Sequence, residues 1–202
     1  YLSEHLTNKY ANTAKQHTRM TEAPLRPPEI THAHWVFASH KHSDHLDPGT
    51  LPPLFQASPE ARLVLPAAHV DHAVSLGLAR ERLLPTRGDE TLNVGPVRVH
   101  SLPSAHPDLD YAEASGYPFL GFGLEMDGVR LYHSGDTIVY DGLADRLREF
   151  RPDIAFLPIN GRAGGEGTPP NMNAAEAVAL AKAIGVPLVI PHHYDMFTFN
   201  TA

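Results

Sequence analysis

Hydrophobic residues in this chain gather into short runs bounded by Gly, Pro, Asn and Asp. That pattern predicts strands and helices in alternation, hence an α/β class. His34 to Ser39, with Trp35, Val36 and Phe37 at its centre, reads as a buried strand. Arg62 to Pro66, Val97 to His100 and Asp153 to Pro158 read likewise. Phe119 to Met126 and Val129 to His133 flank Asp127-Gly128, a strong two-residue turn signal, so they predict a hairpin. Helices are expected over Pro48 to Gln56, Ala67 to Leu76 and Asp141 to Phe150. The clearest helix is Ala174 to Ile184. Asn173 is its N-cap and Glu176 follows three residues later; Ala177, Val178, Ala181 and Ile184 recur at helical spacing, and Gly185 is the stop. Residues 1–29, rich in Pro and polar side chains, read as extended or partly mobile. No internal repeat or low-complexity linker interrupts the chain, so residues 1–202 read as one domain.

The stretch directly after the first strand changes the picture. His40-Lys41-His42-Ser43-Asp44-His45 places three imidazoles and a carboxylate in six residues. These are ligands suited to zinc, manganese or iron. Four of them are more than one ion easily takes from so short a loop. Two ions side by side is the natural arrangement, with His40 and His42 on one and Asp44 and His45 on the other. The chain has 14 histidines, so some clustering arises by chance. The pairs His32/His34 and His69/His72 read as surface or helix decoration. The denser block does not, because a packed set of imidazoles and charge is costly unless something satisfies it.

His40-Lys41-His42-Ser43-Asp44-His45-Leu46-Asp47 resembles the signature of the metallo-β-lactamase superfamily. The other parts of that pattern follow in order: His106 in Leu102-Pro103-Ser104-Ala105-His106, Asp136 in Leu131-Tyr132-His133-Ser134-Gly135-Asp136-Thr137, and the late strand Val189-Ile190-Pro191-His192-His193. Within the superfamily, Tyr132 to Asp136 and Pro191 to His193 look most like the L-ascorbate-6-phosphate lactonase-like branch. The resemblance covers most of the chain. It implies a four-layer αββα sandwich, two sheets between helices, with metals at one edge. It also implies that an N-terminal hairpin and a C-terminal element of the family lie outside this chain, which opens Tyr1-Leu2-Ser3.

In that frame His40, His42 and His106 complete one ion, and Asp44, His45 and His193 the other. Asp136 is the candidate bridge, since a carboxylate has two oxygens and a negative charge. Two divalent ions sharing one hydroxide bring its pKa towards neutrality. Asp44 is a second catalytic candidate, orienting the hydroxide or shuttling a proton. His192 and His193 compete for the last ligand position; successive strand residues face opposite ways, and the resemblance favours His193. Asp47 reads instead as a helix N-cap ahead of Pro48. His133 reads as structural or as a partner of the ligands.

Composition narrows the function further. No long apolar run or signal peptide pattern is present, and cysteine is absent, which argues for a cytoplasmic setting without thiolate ligands. A formal charge of −7 disfavours nucleic acid as partner. A small-molecule substrate and no membrane are expected, and a homo-oligomer is compatible with the sequence. Loops 107–118 and 160–173 are expected to carry specificity, the first as a lid. Asn160, Arg162 and His192 are the substrate-binding candidates, Arg162 as a grip for phosphate or carboxylate. The expected reaction is hydrolysis of a lactone or related ester of a small phosphorylated or acidic metabolite. Phosphodiester hydrolysis by the same two-metal chemistry is the rival, and a non-catalytic metal-binding module the rival from another class.

Overall fold

A computed structural model gives the structure of this chain and describes residues 1–14, 16–161 and 170–198. Strands β1 (Trp35–Phe37), β2 (Arg62–Pro66) and β3 (Leu83–Thr86) pair in parallel in that order. A larger sheet runs β4 (Glu90–Val94), β5 (Val97–Pro103), β6 (Leu120–Met126), β7 (Val129–His133), β8 (Ile154–Pro158) and β9 (Leu188–His192). It is antiparallel from β4 to β7 and parallel from β7 to β9. Five α-helices accompany the strands among the described residues: α1 (His5–Lys9), α2 (Leu51–Ala57), α3 (Val70–Ser75), α4 (Leu143–Phe150) and α5 (Ala174–Ile184).

Side-chain alternation turns these elements into layers. On β2, Leu63 and Leu65 pack with Leu51, Leu54 and Phe55 of α2 and Ala73 of α3. Val64, between them, faces the other way and meets Val94, Val99, Leu120 and Phe122 of the larger sheet. A strand buried on both faces has this two-sided apolar pattern. On the far side, Tyr132, Ala155 and Leu157 of the larger sheet pack under Leu143, Leu147 and Phe150 of α4 and Ala177 and Leu180 of α5. The order helix, sheet, sheet, helix is the sandwich that the resemblance implies.

Local chemistry explains the best-matched elements. In the β6–β7 hairpin, Asp127 and Gly128 both take positive φ (+51° and +78°), the conformation a tight two-residue turn requires. Asn173 accepts the Glu176 backbone N–H at 2.9 Å while the Glu176 carboxylate accepts the Asn173 N–H at 2.8 Å, closing the capping box of α5.

Two expectations are corrected, and two strands add to those predicted. Residues 1–29 are not simply extended: α1 forms over His5–Lys9 with Leu6 buried. The anchor is Asp47, whose buried carboxylate accepts the Ser3 hydroxyl at 2.7 and 2.9 Å, while Leu2 N–H donates to Thr50 Oγ1. The helix expected from Pro48 starts at Leu51, because Asp47 caps the Gly49 N–H and the Thr50 hydroxyl of a preceding turn. Strands β3 and β4 carry little apolar signal, with Pro85 in one and Glu90 and Asn93 in the other.

Candidate metal centre

Topology brings distant parts of the chain to one edge of the sandwich. Strands β5 and β7 run the same way, each antiparallel to β6 between them, and β9 runs parallel to β7 through β8. Their C-terminal ends therefore open onto one side, the position where open α/β sheets bind ligands. β5 ends before His106, β7 before Asp136 and β9 before His193; β1 of the other sheet leads into His40.

Hydrogen bonds lock these strand ends together. Leu120 N–H donates to Ser39 O at 2.9 Å and Ile138 N–H to Ala105 O at 2.9 Å. The Ser104 hydroxyl donates to Ser134 O at 2.8 Å, and Ala105 N–H to the Thr137 hydroxyl at 3.1 Å. Within the first loop, the N–H groups of His45 and Leu46 both donate to His42 O, curling the loop so that His40, His42, Asp44 and His45 all reach the site. Gly135 turns the chain into Asp136 at φ +60°; a Cβ there would lie 2.5 Å from the Ser39 Cβ.

Two groups of ligand atoms result, each lying within 4.8 Å of one another: His40, His42 and His106, and Asp44, His45, Asp136 and His193. All seven residues expected from the sequence are thus brought together. Asp136 joins the groups. Its Oδ2 is 3.6 Å from His106 Nε2 and 3.3 Å from His193 Nε2, and its Oδ1 is 3.2 Å from His45 Nε2. His193 Nε2 also lies 3.4 Å from Asp44 Oδ2.

The remaining candidates sit elsewhere. His192 stays in β9, stacked on His133 with centroids 4.5 Å apart and 3.2 Å from the Ser134 hydroxyl. His133 Nδ1 accepts the Gly135 N–H at 3.1 Å. Asn160 is buried and accepts from the Asn171 amide at 3.1 Å. Arg162 lies outside the described residues. Of the other specificity loop, residues 107–114 are exposed. Two contributors were not anticipated. Phe119 packs its ring 5.2 to 6.2 Å from His40, His42 and His106. Buried His69, read as helix decoration, binds Pro118 O at 2.8 Å and so fixes the segment that carries Phe119. A spacing pattern carries no signal for either.

Electrostatics separates the two groups. Burial lowers His40, His42 and His106 from the usual histidine value and keeps them neutral. Neutral imidazole is the form that ligates metal. Burial acts on His193 too, but the Asp136 and Asp44 carboxylates outweigh it and hold its pKa well above the usual value. In return, burial raises Asp136, while His193 and His45 outweigh that and keep it well below the carboxylate range. Asp44 is held low in the same way by His45 and His193 against its own burial. Behind them, burial takes His133 down to about 4 and His192 to about 2.

The arrangement fits divalent cations. Asp136 Oδ1 is buried and, among the described residues, has no hydrogen-bond partner; His45 Nε2 stands 3.2 Å from it. His40 Nε2 and His42 Nδ1 converge to 2.9 Å, two ring nitrogens aimed at one point. An all-nitrogen and oxygen donor set suits zinc, manganese or iron.

Comparison with known proteins agrees with this geometry. Residues 6–194 match the family described as Beta-lactamase superfamily domain. A UPF0173 metal-dependent hydrolase from Methanoculleus marisnigri is 33% identical over 153 residues, 64% of this chain and 64% of that protein. The chain thus spans just under two thirds of that relative's length. Another, from Archaeoglobus fulgidus, is 30% identical over 183 residues, 87% of this chain and 71% of the relative. Among solved structures, isothiocyanate hydrolase from Delia radicum gut bacteria superposes with a TM-score of 0.73 at 16% identity, covering 98% of this chain and 77% of that one. This last likeness concerns the fold. The chain belongs to the β-lactamase superfamily, among the UPF0173 metal-dependent hydrolases.

Proposed function

We propose that this protein is a hydrolase that holds two divalent cations and opens a lactone, or a related ester, of a small phosphorylated or acidic metabolite. The observation that carries the reading is the pair of adjoining ligand groups, with Asp136 within 3.6 Å of ring nitrogens in both. Bound there, such cations supply an activated water near neutral pH and polarise the scissile carbonyl. The rest of the work falls to the chain's own residues. Asp136 presents one carboxylate oxygen towards His45 and the other towards His106 and His193. Asp44 stays ionised and its side chain is 29% exposed, so it can reach an incoming water and take its proton, then return one to the leaving alcohol. His40, His42 and His106 are held as neutral donors by burial, with Phe119 packed against all three.

The lactone reading is supported by the likeness of Tyr132 to Asp136 and of Pro191 to His193 to the lactonase-like branch, and by the formal charge of −7, which suits a small substrate over nucleic acid. The test is a substrate panel of sugar-acid lactones, phosphodiesters, single-stranded RNA and β-lactams, each with and without chelator. Lactone hydrolysis that chelator abolishes, and that Asp136→Asn lowers by several orders of magnitude, is the expected result. Chelator-sensitive phosphodiesterase activity without lactonase activity would replace the substrate class. Metal uptake with no turnover on any class would favour a binding module.

A further inference from the structure

Ser39 sits between the end of β1 and His40, and its side chain is buried. Its Oγ lies 3.0 Å from Nδ1 of His40 and 2.9 Å from Nδ1 of His45. His40 belongs to the first ligand group and His45 to the second, and their rings are 4.1 Å apart. In each ring the other nitrogen faces the ligand atoms. His40 Nε2 is 2.9 Å from His42 Nδ1, and His45 Nε2 is 3.2 Å from Asp136 Oδ1.

A neutral imidazole carries one ring proton. If Nε2 is to offer its lone pair, that proton must stand on Nδ1 and needs an acceptor there. A serine hydroxyl has two acceptor lone pairs, enough for both rings. Were the hydroxyl to donate to either Nδ1 instead, that ring's proton would move to Nε2 and block the ligand atom. For His106 the equivalent acceptor is a main-chain carbonyl, Pro170 O, at 3.2 Å. For His40 and His45, Ser39 Oγ stands in that place, and among the described residues neither Nδ1 has another hydrogen-bond partner. Oγ is also held in position. Ser39 O accepts the Leu120 N–H, and Gly135 approaches so closely that a Cβ there would lie 2.9 Å from Oγ.

We propose that Ser39 is a positioning residue whose single hydroxyl sets the tautomer of one ligand histidine in each group, and so prepares both groups together. The proposal rests on the metal-binding reading above. It adds a residue that touches no cation itself. Outer partners of this kind typically contribute roughly 10- to 100-fold to metal affinity. An ordinary ligand deletion strikes one group, whereas loss of Ser39 strikes both.

Two measurements test it. The first is ¹H–¹⁵N NMR of the ring nitrogens in the zinc-loaded protein, where the ligand nitrogens are taken and each Nδ1–H reports its own acceptor. Both His40 and His45 should show an Nδ1–H signal that exchanges slowly with water, and Ser39→Ala should speed the exchange of both. The second is zinc titration against a competing chelator. Ser39→Ala should weaken both zinc sites by roughly 10- to 100-fold, while Ser39→Thr, which keeps the hydroxyl, should bind as the wild type does. A wild-type spectrum that lacks the Nδ1–H signal of either ring overturns the proposal whether or not any variant folds. So does zinc affinity in Ser39→Ala that is unchanged, or weakened at one site alone. Those results would leave the metal-binding reading standing. A wild-type protein that takes up no zinc would sink both.

Discussion

His192 and His193 are neighbours with different fates. His192 remains in β9, paired in register with Pro158, and its ring stacks on His133. His193 leaves the strand at φ +61°, an uncommon conformation for a non-glycine residue, and its Nε2 meets Asp44 and Asp136. The period-2 rule shows from sequence alone that only one of the pair can reach the centre. The left-handed turn that aims His193 has no such signature. His193→Ala is expected to reduce bound metal from two ions towards one and to abolish turnover, whereas His192→Ala should retain both ions and lose activity less. Elemental analysis after dialysis, alongside a rate measurement, decides it; the opposite ranking would make His192 the ligand. Ser39, Phe119 and His69 mark the limit of legibility at this scale, because what they touch depends on residues far away in sequence.

Among the elements, those with local chemistry of their own were readable. β2 and β7 match their predicted bounds, and α5 matches through its capping box and its glycine stop at φ +70°. α2 begins late and α1 was missed because a tertiary partner, the buried Asp47 carboxylate, governs both. β3 and β4 owe their strand state to pairing with β2 and β5, which no local pattern announces. The α5 cap offers a clean check on this division. Asn173→Ala removes the acceptor for the Glu176 N–H and should cost about 1 kcal/mol of stability. Urea unfolding should show a lower midpoint with an unchanged slope, and metal content should stay that of the wild type.

For the molecule as a whole, the ligands come from the ends of β1 in one sheet and of β5, β7 and β9 in the other. A cation bound there stabilises only the chain in which both sheets are assembled. By mass action, each ion present at about 100 times its dissociation constant adds roughly 2.7 kcal/mol. Thermal unfolding should therefore move upward with added zinc, and the shift should shrink in Asp136→Asn. An unfolding temperature indifferent to zinc and to chelator would contradict the assignment.

This chain contains no cysteine, and so no disulfide. Viewed as a polymer, the centre is a junction with four arms, gathering the backbone near residues 40–45, 106, 136 and 193. It closes three successive loops of roughly 60, 30 and 57 residues, each carrying a closure entropy that grows only slowly with length. With cations bound, such a junction would constrain the unfolded chain as disulfides do, and it would open to a chelator where they open to a reductant.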